Sequence, residues 1–320
     1  MNHPSIHQPL WRSALLLLFL TLIASCKSDN KKESVEEVME EPVTPTISVV
    51  TRSMEFEMSD TIPSGWNTFL YHNQSNETHF FVVEQYPDSV TIDMVKTEVM
   101  PVFDEGMALL NEGKVEEGYA AFGKLPAYFG GLQFFGGSGL IAPNNTSETT
   151  IHWNPGKYLL ECYVKMPNGQ FHSSMGMLKE FVVSDENSGL EAPEPSASIA
   201  ISSSDGYQAP ETLEKGKHTF EVTFKDQKAF ENFVGPDVNL VRVSPDADMA
   251  ALESWMNWAD PKGLITPVPK GFIFLGGFNN SPEGTVGYFT AELHPGTYAL
   301  ISETPMASEK GLLKTITVPE

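Results

Sequence analysis

Pro155-Gly156-Lys157-Tyr158-Leu159-Leu160-Glu161-Cys162-Tyr163-Val164 reads as a tight turn running into a strand. Glycine accepts the positive φ that such a turn demands, and the aliphatic and aromatic run behind it suits a half-buried extended chain. A second turn of the same form stands at Pro295-Gly296-Thr297-Tyr298, leading into Ala299-Leu300-Ile301. Upstream of both, at equal distance, lie Phe135-Gly136-Gly137 and Leu275-Gly276-Gly277. Earlier still come Gly65-Trp66-Asn67-Thr68-Phe69 and Gly216-Lys217-His218-Thr219-Phe220, and each half closes on Gly176-Met177-Leu178-Lys179 or Gly311-Leu312-Leu313-Lys314. Landmarks recurring in one order mark an internal duplication.

The segments between landmarks fill in the same plan. Phe80-Phe81-Val82-Val83 and Leu240-Val241-Arg242-Val243 read as short strands, as do Phe181-Val182-Val183 and Ile316-Thr317-Val318. Apolar residues at helical spacing over 94–105 and 107–122, and again over 249–258, predict one helical insertion per half. Pro193-Glu194-Pro195-Ser196 reads as a linker. The expected fold class is all-β: two tandem Greek-key β-sandwich domains, 48–185 and 198–320, joined through 186–197 and carrying short helical insertions.

The N-terminal segment points outside the cytoplasm. Residues 13–23 are almost unbroken apolar, too short for the roughly 20 residues of a membrane-spanning helix, and Ala24-Ser25-Cys26 follows. Ile23-Ala24-Ser25-Cys26 resembles a bacterial lipobox, which implies removal of residues 1–25 and a lipid anchor on Cys26. Residues 26–47 are acidic and proline-containing and read as a solvated tether. The expected location is the cell envelope, with the membrane as one partner and a redox or envelope protein as another. Forty-two acidic against 20 basic side chains, a formal charge of −22, exclude a nucleic-acid partner, whose affinity rests on cationic side chains.

The chain holds two cysteines, and lipid on Cys26 leaves Cys162 without a disulfide partner. Such a thiol is either buried and inert, bridged to another chain, or a metal ligand. Around it stand His79, just ahead of Phe80-Phe81-Val82-Val83, then His172 after nine intervening residues from Cys162, then Met177 after four more. His72 competes with His79, and Met175 with Met177.

In this order of residues the first half resembles the cupredoxin family. The long interval between Cys162 and His172, with its short step to Met177, is similar to the copper site of copper nitrite reductases. The resemblance implies one copper ion in the first domain. Cys162 would be the thiolate ligand, His79 and His172 the equatorial imidazoles and Met177 the axial thioether, a donor set that suits blue copper. It also implies one-electron transfer or copper handling. The second half has Ser302 where the first has Cys162, Leu312 for Met177, and Asp237 or Asn239 near the position of His79, so no ligand set is expected there. The chain lacks His-x-His pairs for further copper ions and shows no hydrolytic arrangement, so it is not expected to be an enzyme. A copper-free tandem β-sandwich that binds a partner or shapes the envelope is the alternative.

Overall fold

The computed structural model describes residues 46–230 and 234–320. The export segment, Cys26 and nearly all of the tether lie outside the described residues. Fifteen strands are placed: β1 (Thr46–Thr51), β2 (Thr61–Asn73), β3 (Val82–Gln85), β4 (Gln133–Gly137), β5 (Thr146–Trp153), β6 (Gly156–Glu161), β7 (Leu178–Asn187), β8 (Ala197–Ser202), β9 (Gly206–Gln208), β10 (Gly216–Asp226), β11 (Val238–Val243), β12 (Phe272–Phe278), β13 (Val286–Leu293), β14 (Gly296–Ile301) and β15 (Leu313–Val318). The helices are short: α1 (Ile92–Met94), which runs through a π-helical turn (Val95–Val99) into α2 (Met100–Asn111), then α3 (Val115–Ala121) and α4 (Met249–Met256). The all-β expectation with short helical insertions holds.

The first half has two layers. β1 pairs parallel with β2 and β2 antiparallel with β5, while β4-β3-β6-β7 runs antiparallel opposite them. The start of β2 leans onto β7 in parallel, closing the sandwich at one side. The second half repeats these pairings: β8 with β10, β10 with β13, and β12-β11-β14-β15 as the facing sheet. Both Pro-Gly turns carry the same lock. The Tyr158 hydroxyl donates to the Asn154 carbonyl at 3.0 Å, and the Tyr298 hydroxyl to the His294 carbonyl at 2.9 Å.

The two halves share hydrogen bonds. β5 pairs antiparallel with β13, Thr149 opposite Phe289, so one eleven-stranded sheet runs through both. One contiguous apolar core reaches from Phe69, Phe81 and Trp153 to Phe220, Phe274 and Phe278, all buried. Between β7 and β8 the chain is tied at both ends, Ser188 N–H to the Ser64 carbonyl and Ser196 N–H to the Thr219 carbonyl.

Local differences from the sequence reading have physical causes. The helix expected over 94–105 begins at Ile92 and widens into a π turn just ahead of Pro101. Proline has no N–H for the regular ladder, which favours such a widening. The strand expected over 158–164 ends at Glu161, although the Cys162 N–H still meets the Met177 carbonyl in register with β7 at 3.1 Å. The strand expected at 80–83 starts at Val82, since His79 is held one step earlier by a bridge to Ile141.

Candidate metal centre

Three segments, each fixed by its backbone, deliver the donors. His79 is pinned on both sides of its peptide: its N–H donates to the Ile141 carbonyl at 3.2 Å and its carbonyl accepts from Ile141 N–H at 2.7 Å. Cys162 follows β6, whose register against β3 and β7 sets where the thiol falls. His172 ends a loop that turns at Gly169 and returns antiparallel to Lys165. Its N–H bonds the Val164 carbonyl at 2.9 Å, and its carbonyl accepts from Met177 N–H at 3.0 Å. Rigid strands and a cross-braced loop place such a site more firmly than a free loop would.

The donor atoms converge. His79 Nδ1 and His172 Nδ1 are 3.1 Å apart, and the Cys162 Sγ lies 3.8 and 3.7 Å from them. All three side chains are fully buried. Metal bonds of about 2.0 Å to nitrogen and 2.3 Å to sulfur place ligand atoms roughly 3.3–3.8 Å from one another, so the three surround a point that suits one ion. Among the described residues no other group of three His, Cys, Asp or Glu donors comes together in this way.

Burial sets the protonation of the donors. It pushes His79 down to about 3, with help from the neighbouring His172, and His172 down to about 4, so both are neutral imidazoles over the ordinary pH range. Burial raises the Cys162 thiol to about 12, opposed by amide hydrogen bonds from Phe80 and Val164 that favour the thiolate. The far nitrogen of His172 lies 3.2 Å from a Glu77 carboxylate oxygen, without hydrogen-bond alignment. Among the described residues the far nitrogen of His79 has no hydrogen-bond partner.

The remaining sequence candidates sort by burial and position. Met177 is fully buried and bonded through its backbone to both Cys162 and His172, whereas Met175 is 42% exposed. His72 sits on β2 with Nδ1 against the Thr146 hydroxyl at 3.0 Å, outside the cluster. Sequence reading missed Glu77, whose charge is unremarkable in an acidic polar stretch. It also missed the adjoining buried carboxyls Glu84 and Glu161, because alternation puts them with Leu159 on the face away from the main core, which the helical insertion covers.

In the second half a hydrogen-bonded knot stands in the corresponding place. The Ser302 hydroxyl donates to Asp237 Oδ1 at 2.8 Å, the Glu303 N–H to the same oxygen at 2.9 Å, and Asn239 Nδ2 to Asp237 Oδ2 at 2.6 Å. Burial lifts Asp237 to about 6 despite these donors.

No protein-family model and no curated protein matches the chain. Among solved structures it is similar to auracyanin A, a "blue" copper protein from Chloroflexus aurantiacus, at 19% identity over 44% of this chain and 98% of that one, with a TM-score of 0.26. A multicopper oxidase aligns at 12% identity over 85% of this chain and 87% of its own, TM-score 0.21. A Cu-containing nitrite reductase from Thermus scotoductus aligns at 11% over 85% and 61%, TM-score 0.21. The expectation that the chain is not an enzyme is corrected on this point. The solved structures that align along both halves include a multicopper oxidase and a Cu-containing nitrite reductase, both of them enzymes.

Proposed function

We propose that His79, Cys162 and His172 hold one copper ion, with Met177 as axial ligand, in a membrane-tethered protein with two cupredoxin-like halves that passes single electrons. The observation that carries the reading is the convergence of one thiol and two neutral imidazole nitrogens on a single buried point, 3.1–3.8 Å apart. Copper bound by a thiolate and two imidazoles cycles between two oxidation states.

The protein's own contribution is to hold the donors still. His79 is locked to Ile141, and Cys162 and His172 are cross-tied through Met177, so the ligands have little room to rearrange as charge changes. Full burial excludes water from the donors. It also favours a resident ion over one handed on, because a copper carrier needs ligands that a partner can reach. The second half, with Ser302 and Asp237 joined to each other, serves as scaffold and holds no copper in this reading.

The lipobox-like Ile23-Ala24-Ser25-Cys26 and the acidic stretch behind it support a lipid anchor in the cell envelope and a short reach to a redox partner. The test uses the full chain extracted from its native membrane. Intact-mass analysis should find diacylglycerol on Cys26, and voltammetry of the copper-loaded protein should show a reversible one-electron wave that Cys162→Ser removes. An unmodified Cys26 would refute the anchor. A copper-loaded protein with no reversible wave would refute electron transfer.

A further inference from the structure

Beside the copper site, on the side of the helical insertion, lies a small cavity of about 50 Å³. Its wall is aromatic, with Tyr86, Phe103, Phe134 and Tyr163 among the lining, and its polar floor is the pair Glu84 and Glu161. Glu84 on β3 is 2% exposed and Glu161 on β6 is 8% exposed. Among the described residues no Lys, Arg or His lines the cavity, and Glu84 Oε2 has no hydrogen-bond partner. A buried carboxyl oxygen left unpaired is costly, and natural proteins keep few of them. Burial, repulsion from Glu161 and a side-chain hydrogen bond with it push Glu84 well above the usual carboxylate range.

We infer that this cavity is a binding site for the head of a small primary amine, its ammonium between Glu84 and Glu161 and its first carbons against the aromatic wall. An ammonium offers three donors to the carboxyl oxygens, and a charge-assisted bond is roughly twice as strong as a neutral one. The faces of Tyr and Phe rings attract a cation further. An anion meets two acids and no counter-charge. A neutral apolar guest leaves the Glu84 oxygen unpaired. A divalent cation of the calcium type wants six or more oxygens, which an aromatic wall does not supply.

Size narrows the class. A volume of about 50 Å³ suits a primary ammonium with one or two carbons better than a bulkier trimethylated head. An outer cleft of about 560 Å³ adjoins the cavity across Phe129, Leu132 and Phe134 and takes in Gln133, Gln227 and Asn280. The cleft gives a longer amine room for a polar body. The cavity also reaches Ser173, next to His172, so an occupant would sit within one residue of two proposed copper ligands.

The inference does not depend on copper, and its test uses the full chain without metal. Calorimetric titration with ethylammonium chloride should show saturable binding of one molecule per chain. Tetramethylammonium and ethanol should show none, and Glu84→Gln should weaken ethylammonium binding about tenfold or more. Because that substitution removes a buried acid, its thermal melt should match or exceed the parent's, which separates lost binding from lost folding. Binding of ethanol as strong as that of ethylammonium, full retention in Glu84→Gln, or calcium competing for the same site would each overturn the assignment.

Discussion

At Cys162 two opposing effects meet: burial drives the thiol to about 12, while the Phe80 and Val164 amides favour its ionised form. The metal-free chain therefore carries a protonated thiol near neutrality, and copper must displace that proton. The histidines are held at about 3 and 4, so they offer free nitrogens and release no protons at neutral pH. The sign follows: raising pH favours the bound state. Copper affinity should climb about tenfold per pH unit through the neutral range, with one proton released per ion. Below about pH 4 the dependence should steepen as His172 and then His79 take up protons. Competition titrations against a chelator, with parallel measurement of proton release, check this. A pH-independent affinity at neutrality would mean that the thiol is not a ligand.

At the scale of elements, β3 and β4 frame the first histidine as β11 and β12 frame its vacant counterpart. Gly137 lies opposite Val82 with φ of 136°, and a Cβ there would fall 2.1 Å from the Phe81 carbonyl oxygen. Gly277 lies opposite Asn239 with φ of 147°, and its Cβ would fall 2.0 Å from the Val238 carbonyl oxygen. Alanine at either position forces the partner strand away and should cost about 1–3 kcal/mol of stability. Phe81 is two residues from His79, so Gly137→Ala should also weaken copper binding, and Gly277→Ala much less. Urea melts and copper titrations of the two variants measure both effects, and equal losses of copper affinity would contradict the local account. These glycine pairs were legible in the sequence because a backbone that approaches so closely tolerates no side chain. The exact start of β3 was not, because His79 pairs with Ile141, a residue distant in sequence.

Across the whole molecule, the duplicated landmarks and the His–Cys–His–Met order were readable because turn glycines and metal donors announce themselves by residue type. The β5–β13 pairing that runs one sheet through both halves was not readable, since local alternation does not reveal which strand edge meets which. The Asp237–Ser302–Asn239 knot was hidden for a similar reason: only packing turns three ordinary polar residues into a buried cluster. Together these features predict a chain with two similar halves and a single metal site. The most direct test is to titrate the full chain with Cu(II) while recording visible absorption and bound metal. One copper per chain should bind with an intense thiolate-to-copper band, and Cys162→Ser should lose the band. A colourless protein, or two copper ions bound per chain, would contradict the account.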